Sequence, residues 1–473
     1  MCPWTRRAFV AGALSLPVSC AAADSHEESD SGRARPVASE RYFPNHGDLG
    51  FHVAEYDLRL RYHPPTRALD GVARVAATAD AAGAGFGLDL SSALTVSAVS
   101  VDGVTAQFRH RRGKLRVTAA TALAPGQRFT CEVRYSGRPK PLRTPFGDIG
   151  WDYTTVSPPG VLVASQPLGA PSWFPCNDHP GDKAAYRVAV TVPEGYQVVA
   201  NGMLTDRTAV PGSGTTWTYE HAGPMASYLA TLNIGRFVFT TQHGGPVPIR
   251  NAYPMRLAAA FDHDFGRQPR MMRLFQELFG RYPFEVYGSV VVEAELDEPV
   301  ENQTFSLFGT NHVDGKRGSE RLVAHELAHH WFGNSVSLAE WRHIWLNEGF
   351  ATYCEWLWSE HAGGSSADRL AADNWADLAQ AGQRLRIGDP GPDRLFDDRV
   401  YSRGACTLHA LRTTIGDDAF YAMLRAWAGE YRHRNAGTDE FIALAERFGN
   451  QKLDSLFRSW LYEKRLPPLP QRA

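Results

Sequence analysis

The first part of the chain alternates between apolar and polar residues. Between about residues 42 and 238, several runs place an apolar side chain at every second position: Tyr56, Leu58, Leu60 and Tyr62; Phe129, Cys131, Val133 and Tyr135; Tyr186, Val188, Val190 and Val192. Successive side chains of a strand point to opposite faces of a sheet, so this period predicts half-buried strands. Turn-forming residues such as Pro64 and Pro65 separate the runs. The pattern predicts an antiparallel β domain over residues 42–238.

Beyond residue 238 the apolar period lengthens to that of helices. Helical stretches are predicted at residues 270–279, 319–332, 346–361, 403–415, 417–431 and 439–448. We therefore expect a mainly helical second domain over residues 239–466, followed by a tail at 467–473. The predicted fold class is α+β, and the sequence contains no internal repeat, heptad run or phosphate-cradling Gly-rich loop.

Composition agrees with a soluble, folded protein of more than one domain. The chain has 473 residues, of which 43% are hydrophobic and 21% charged, and that length exceeds the usual size of one hydrophobic core. Lys and Arg total 49 against 51 for Asp and Glu. A formal net charge of -2 provides no summed basic field, so nucleic acid is excluded as a partner class.

The candidate chemistry lies in the predicted helix 319–332, which contains His325-Glu326-Leu327-Ala328-His329. Residues four apart lie one turn above each other on a helix, so His325 and His329 can converge on one metal ion. Glu326 lies at the edge of the same face. Gly333 is well placed to end this helix.

A third ligand is expected at Glu348, eighteen residues after His329 and at the start of the next predicted helix. Two His and one Glu leave the fourth tetrahedral position of zinc open to water, which is typical of a catalytic site. Soft ligands and an octahedral oxygen shell are both absent, which favours one zinc ion over other metals. Glu326 is then the candidate general base that takes a proton from the attacking water.

The alternative is that these histidines lie on a helix surface with an unrelated acid downstream. Apolar residues occur throughout this stretch and predict a largely buried helix: Leu322, Val323, Leu327, Trp331 and Phe332. Buried polar side chains without partners are costly. A metal ion that pairs them is therefore the favoured interpretation.

These residues and their flanks resemble the zinc aminopeptidases that include aminopeptidase N and leukotriene hydrolase. The similarity is carried by residues 323–350, with Trp331-Phe332-Gly333-Asn334 and Trp345-Leu346-Asn347-Glu348-Gly349-Phe350. Over about residues 45–466 the resemblance implies a saddle-like N-terminal sheet domain and a thermolysin-like catalytic domain. Larger family members continue into a helical-repeat domain, and the resemblance identifies this chain as a short form without it.

The resemblance also implies residues that bind the substrate. The family has a Gly-x-Met-Glu-Asn strand whose Glu binds the free α-amino group, and here Glu301 and Asn302 match its last two positions. Glu298 and Val300 replace the Gly and Met, and Pro299 has no N–H to donate to a substrate backbone. A buried carboxylate pairs well with an ammonium group, whereas the alternative for Glu301 is a solvated acid in an acidic run.

Two further site residues follow from the resemblance. Tyr401, in Tyr401-Ser402-Arg403-Gly404, is similar to the Tyr of the family's Tyr-x-Lys-Gly segment, whose hydroxyl stabilises the oxyanion. Gln166, in the N-terminal domain, would make a second contact to the substrate amine. A buried structural Tyr and an ordinary loop residue are the respective alternatives.

The first 23 residues have the composition of an export signal, with Arg6 and Arg7 before an apolar run and small residues at 21–23. Residues 5–10 resemble a twin-arginine signal. Residues 16–20 resemble a lipobox ending at Cys20, so membrane attachment through a lipid on Cys20 and plain secretion both stay open. Residues 24–41 are polar and aperiodic, which predicts a flexible tether.

Four cysteines remain after the signal: Cys131, Cys176, Cys354 and Cys406. Their spacing matches no zinc ribbon or redox pair. Cys354 and Cys406 both fall in the helical half and are the pair to test for a disulfide in an oxidising compartment. Buried free thiols are the alternative.

Three functions are weighed on this basis. The first is an exported zinc aminopeptidase that hydrolyses the N-terminal peptide bond of peptides with a free N-terminus. The second is a zinc endopeptidase or an epoxide hydrolase on the same fold, and the third is an inactive binding scaffold. The sequence does not specify the side-chain preference or the oligomeric state.

Overall fold

The computed structural model of the chain describes residues 40–157 and 159–470. The predicted export signal with Cys20, residues 24–39 of the predicted tether and the end of the predicted tail lie outside the described residues. None of the described helices is both long enough and apolar enough to cross a membrane.

The N-terminal half of the described chain consists of strands joined by turns, with short 3-10 helices at Ala170–Ser172 and Ser227–Leu229. The strands are β1 (Phe51–His63), β2 (Ala68–Ala79), β3 (Gly83–Asp89), β4 (Leu94–Val101), β5 (Val104–Thr105), β6 (Gln107–Arg111), β7 (Lys114–Leu123), β8 (Arg128–Gly137), β9 (Leu142–Thr144), β10 (Gly147–Tyr153), β11 (Val161–Ala164), β12 (Lys183–Val192), β13 (Gln197–Ala200), β14 (Met203–Val210), β15 (Gly214–Ala226) and β16 (Leu232–Gly235).

Eight of these strands form one sheet in the order β14-β15-β12-β1-β2-β8-β4-β5. The alternation that predicted β1 is confirmed, because Tyr56, Leu58, Leu60 and Tyr62 are all buried on one face. The sheet is antiparallel except at one place: β1 and β12 run parallel. The predicted antiparallel sheet departs from its pattern at this one pair, because β1 and β12 are far apart in sequence and are not joined by a short turn that would make them antiparallel.

The other strands of this half form two smaller sheets, β3-β7-β6 and β13-β16-β11-β10-β9. Leu162 of β11 and Val199 of β13 pack in one hydrophobic cluster with residues of the C-terminal half, including Val290 and Leu307. This cluster joins the two halves beside the segment that carries Glu301.

The C-terminal half begins with a small sheet and continues as helices. Its strands are β17 (Val238–Gln242), β18 (Ile249–Tyr253), β19 (Ser289–Val292), β20 (Ser306–Gly309), β21 (Ser337–Leu338) and β22 (Asn435–Ala436), and the first four form a sheet in chain order. Its helices are α1 (Ala258–Phe265), α2 (Gln268–Phe279), α3 (Glu320–Ala328), α4 (Trp345–His361), α5 (Ala367–Gln380), α6 (Asp398–Ile415), α7 (Asp417–Glu430), α8 (Thr438–Gly449) and α9 (Asp454–Phe457). A π-helical turn, Arg458–Tyr462, follows α9.

A β-rich N-terminal part followed by a helical part confirms the predicted α+β class. Five predicted helices correspond to α2, α4, α6, α7 and α8, with α6 beginning five residues earlier than predicted. The predicted helix 319–332 is shorter, because α3 ends at Ala328 and the chain continues as a turn. The region of Glu301 was expected to be a strand, but only Val300 pairs there, in a single bridge with Leu307.

All four cysteines of the described residues are free and buried. The Cys354–Cys406 disulfide is therefore not formed, and the alternative of buried free thiols holds. Burial raises the pKa of each thiol, which keeps it protonated and unreactive.

Candidate metal centre

Helix α3 brings His325 and His329 together. His329 is the first residue beyond the helix, yet its N–H still donates to the carbonyl of His325 at 3.2 Å. The two side chains consequently lie one turn apart, with ring centroids separated by 4.8 Å. The two imidazoles therefore lie close together, as predicted.

Helix α4 supplies Glu348 from its first turn. Its Oε2 lies 3.5 Å from Nε2 of His325 and 3.5 Å from Nε2 of His329. The three side chains are buried, and one donor atom from each lies within 4.8 Å of the others. Zinc bonds of about 2.1 Å in tetrahedral geometry place ligand atoms about 3.4 Å apart. The donors therefore fit one zinc ion.

Two further groups orient the imidazoles. Nδ1–H of His325 donates to Glu355 Oε1 at 2.7 Å, and Nδ1–H of His329 donates to the carbonyl of Phe332 at 3.1 Å. Arg321 in turn pairs with Glu355 at 3.1 Å. Each histidine is thereby held in the tautomer that presents the Nε2 lone pair to a metal.

Sequence reasoning missed Glu355 and Arg321, although a signal was present. Glu355 lies seven residues, or two turns, beyond Glu348 on α4, and Arg321 lies one turn before His325 on α3. Both therefore fall on the same helix faces as the ligands they support.

The electrostatic field of the centre favours a cation. Although burial disfavours a charged imidazole, the carboxylates of Glu348 and Glu355 raise the pKa of His325 well above its ordinary value. Burial also opposes ionisation of Glu348, but the attraction of His329 and His325 lowers the pKa of its carboxyl. Negative charge held by buried carboxylates at this point is what a divalent ion neutralises.

Glu326 lies beside the three donors, as predicted. Its side chain is buried, and Oε2 has no hydrogen-bond partner among the described residues. Burial raises the pKa of the carboxyl, and the negative charges of Glu301 and Glu348 add to that effect. A carboxylate in this environment accepts a proton readily.

Glu301 and Gln166 meet across the two halves of the molecule. Gln166 Nε2 donates to Glu301 Oε1 at 2.6 Å, and Glu301 is buried close enough to His329 and Glu348 for their charges to act on its carboxyl. Asn302 is fully buried as well, with neither Nδ2 nor Oδ1 hydrogen-bonded among the described residues. Gln166 and Glu301 therefore form one polar pair beside the metal centre, and Asn302 follows Glu301 directly in the chain.

Tyr401 also lies at the centre, on the first turn of α6. Its ring stacks on His325 with 6.1 Å between ring centroids. Helices α4 and α6 pack closely at Gly349 and Gly404, where an added Cβ on either would lie 2.8 Å from the other's backbone. This contact places Tyr401, one turn before Gly404, beside Glu348. Burial and the nearby carboxylates of Glu348 and Glu301 raise the pKa of its hydroxyl, which stays protonated as a donor.

Comparison with known families accounts for both halves of the chain. Residues 264–460 match the peptidase family M1 domain, and residues 52–229 match the peptidase M1 N-terminal domain. The two matched segments contain every predicted site residue.

Among curated relatives, the chain is 25% identical over 359 residues to Aminopeptidase M1-D of Oryza sativa subsp. japonica, covering 71% of this chain and 40% of that protein. It is 28% identical over 335 residues to Leucine aminopeptidase 2-1 of Meyerozyma guilliermondii, covering 66% of this chain and 52% of that protein. The chain thus spans about half or less of the length of these relatives.

Solved structures of similar length also match. An M1 zinc metallopeptidase variant of Deinococcus radiodurans, bound to a Tyr-Ser-Ala substrate, superposes with a TM-score of 0.84 at 31% identity, over 92% of this chain and 99% of that one. A two-domain M1 zinc metallopeptidase variant bound to L-arginine matches with the same score and coverage. The donor set and these zinc enzymes together identify zinc as the cofactor. Because both domains match along almost their full length, the chain belongs to peptidase family M1.

Proposed function

We propose that the chain is a zinc aminopeptidase that hydrolyses the N-terminal peptide bond of peptides with a free α-amino group. The observation that carries this proposal is the buried carboxylate of Glu301, which lies beside the metal donors and is hydrogen-bonded by Gln166. A buried carboxylate is costly without a positive partner, and an ammonium group supplies one. An amine bound there brings the first peptide bond, and no other, to the metal centre.

The chemistry divides among named residues. Zinc, held by His325, His329 and Glu348, would activate water and polarise the scissile carbonyl. Glu326 takes the proton from the attacking water and delivers it to the leaving amine, since its Oε2 is free to do so. Tyr401 donates its hydroxyl hydrogen bond to the developing oxyanion.

Glu301, Gln166 and Asn302 bind the substrate in this scheme. The unpaired amide atoms of buried Asn302 support that role, because a buried amide without partners costs free energy that a bound substrate would offset. The buried carboxylate of Glu301 disfavours an endopeptidase, because the substrate of an endopeptidase would bring no amine to it. The proton acceptor at Glu326 disfavours an inactive scaffold, and an epoxide hydrolase has no observation in its favour.

The test is hydrolysis of a panel of amino-acyl fluorogenic anilides by the purified protein, with and without a zinc chelator. We expect hydrolysis that chelation abolishes and zinc restores. Glu326→Gln should lower kcat by at least about 100-fold, because general-base catalysis contributes that much. Glu360→Gln, an exposed carboxylate on α4 away from the donors, is the matched control.

The same anilides with an acetylated amine distinguish the alternatives. An aminopeptidase should lose nearly all activity on them, and Glu301→Ala should weaken binding of free-amine substrates far more than of blocked ones. Equal activity on free and blocked substrates would contradict the proposal and favour an endopeptidase.

Export also stays a prediction from the sequence, since residues 1–39 lie outside the described part. We propose a secreted or lipid-anchored protein outside the cytoplasmic membrane. The intact mass of the mature N-terminus separates a lipid adduct on Cys20 from plain cleavage near Ala23.

A further inference from the structure

His330 follows the second zinc ligand directly, but its side chain belongs to a different set of contacts. It is fully buried, and its ring lies among three aromatic rings, stacked on Tyr282 and edge-on to Tyr287 and Phe284. Nothing in the chemistry proposed above uses it. A buried imidazole with no task in the reaction requires a partner for each ring nitrogen.

Both nitrogens of His330 have backbone partners. Nδ1–H donates to the carbonyl of Glu326 at 3.0 Å, and Nε2 accepts from the N–H of Thr304 at 3.0 Å. A neutral imidazole has one donor and one acceptor, as this arrangement requires. His330 thus connects the backbone of the candidate general base to the turn that follows Glu301.

That turn, residues 301–305, is here named the anchor turn. The N–H of Phe305 closes it by donating to the carbonyl of Asn302 at 3.0 Å. Thr304 has a φ of +72°, a left-handed conformation that a β-branched residue adopts only under constraint. The hydrogen bond to His330 at Thr304 N–H is one of the contacts that impose it.

A second contact holds the other end of the anchor turn. Asn334 Nδ2 donates to the carbonyl of Glu301 at 2.8 Å. Asn334 lies four residues after His330, in the turn of residues 329–336 that begins at the second zinc ligand, here named the zinc turn. The zinc turn therefore contacts the anchor turn at both ends, at Glu301 and at Thr304.

The N-terminal half holds the anchor turn from the opposite side. Thr304 Oγ1 accepts from the N–H of Gly202 at 2.7 Å, and Asn201 Nδ2 donates to the carbonyl of Gln303 at 2.6 Å. The anchor turn is thus hydrogen-bonded from both halves of the molecule. On the catalytic side, backbone pairing of Val300 with Leu307 flanks the anchor turn. The described side-chain hydrogen bonds between the zinc turn and the anchor turn are those of His330 and Asn334.

We propose that His330 and Asn334 are positioning residues that fix the anchor turn relative to Glu326 and the zinc ligands, and so determine how strongly the enzyme selects a free amino terminus. This inference rests on the proposed function, because it assumes that Glu301 binds the substrate amine. Selection of free-amine over blocked substrates then depends on two things. One is the Glu301 carboxylate, and the other is the distance between the anchor turn and the zinc ligands that His330 and Asn334 maintain.

The test compares competitive inhibition of the zinc-loaded enzyme by a free amino acid and by its N-acetyl form. The Ki of the N-acetyl form divided by the Ki of the free amino acid measures amine selectivity, even where the blocked compound is not hydrolysed. His330→Phe keeps an aromatic ring but removes both hydrogen bonds, and should lower the ratio by about 10-fold to 100-fold, as expected for small misplacement of a binding group. His330→Gln, which retains a donor and an acceptor, should recover part of the loss.

Asn334→Ala should also lower the ratio. It tests the proposal independently of His330→Phe, including the case in which His330→Phe does not fold. His312→Gln is the matched control, because His312 is a buried histidine of the same half that accepts from Gly309 N–H, and its change should leave the ratio unaltered. Zinc content and Tm are measured for every variant.

A wild-type ratio near one would refute the proposed function itself. A high wild-type ratio that survives in His330→Gln and Asn334→Ala, and in His330→Phe where it folds, would overturn the positioning role alone. An equal loss of affinity for both inhibitors would assign His330 a purely structural role and would also overturn it.

Discussion

At the scale of single residues, the metal centre depends on side chains that never touch the metal. Glu355 fixes the tautomer and ring orientation of His325 through a 2.7 Å hydrogen bond, and Arg321 holds Glu355. The carboxylate of Glu355 also raises the basicity of the imidazole that it accepts from. The strength of zinc binding is therefore distributed beyond the three donors.

We expect Glu355→Gln to weaken zinc binding by about 10-fold to 100-fold, the usual effect of removing an outer partner of a metal-bound histidine. The glutamine amide keeps the size of the side chain but removes the negative charge of the group that accepts from Nδ1–H of His325. Competition with a chromogenic chelator measures the affinity, and Glu360→Gln on the same helix is the control. Unchanged zinc affinity in Glu355→Gln would show that the negative charge of Glu355 does not contribute to zinc binding.

The three donors and Glu326 could be predicted from the sequence because their signals are local. Spacing of four on a helix brings His325 and His329 together, and the flanking residues point to Glu348. Asn334 and His330 could not be assigned in this way, because their partners are backbone atoms of residues 301 and 304. A hydrogen bond between a side chain and a distant backbone group leaves no pattern in one sequence.

At the scale of elements, the hydrophobic period identifies helices better than it identifies their ends. Trp331 and Phe332 continue the apolar pattern of α3, yet the N–H groups of His330 and Trp331 bond three residues back instead of four. The chain forms a tighter, 3-10-like turn there, and Gly333, at φ +132°, then changes the chain direction and ends the helical region. The parallel pairing of β1 with β12 was likewise beyond the sequence, since no local pattern specifies which distant strand lies alongside.

Helix α6 is joined to the end of the described chain by one side chain. The guanidinium of Arg403 donates to five backbone carbonyls at 2.7–3.3 Å, those of Ser459, Trp460, Glu463, Lys464 and Arg465. Arg403 is buried, so its guanidinium relies on these carbonyls for its hydrogen bonds. The planar fork of arginine is suited to this arrangement, whereas the single ammonium of lysine is not.

Arg403→Lys should therefore lower the free energy of unfolding by about 2–4 kcal/mol, because several carbonyls lose a charged donor and the buried cation loses acceptors. Arg369→Lys, in an exposed pair with Asp373, should cost less than about 0.5 kcal/mol and serves as the control. Urea unfolding followed by fluorescence measures both. Equal stability of the two variants would mean that the turn at Arg458–Tyr462 is held by its apolar residues alone.

At the scale of the whole molecule, the metal centre is where the two halves meet. Gln166 bonds to Glu301, Tyr228 donates to the carbonyl of Gly333 at 3.2 Å, and Lys183 donates to the carbonyls of Asn334 and Ser335 at 3.2 and 2.9 Å. All three side chains come from the N-terminal half, and two of them hold the zinc turn. The domain order could be predicted from the change of period near residue 239, but these contacts arise only when both halves are folded.

Removal of zinc should consequently loosen the interface between the halves as well as the ligands. Binding to the folded state alone stabilises it by about 4 kcal/mol at a zinc concentration 1,000-fold above Kd. Without that contribution, His329 no longer fixes the start of the zinc turn, whose N–H groups at Asn334, Ser335 and Val336 bond back to residues 329–331. Hydrogen exchange by mass spectrometry, before and after chelation, should show faster exchange in residues 329–336 and in the segments around Lys183 and Tyr228.

The segments β2 and β8, which lie in the sheet without a contact to the zinc turn among the described pairs, provide the internal reference and should exchange at the same rate in both states. Glu348→Ala supplies the second control, since a protein that has lost a donor should exchange alike with and without added zinc. If chelation speeds exchange only in α3 and α4, the metal stabilises its own helices and the two halves are held together independently of it. Faster exchange on both sides of the interface would instead mean that zinc, besides serving the reaction, contributes to holding the two halves together at the zinc turn.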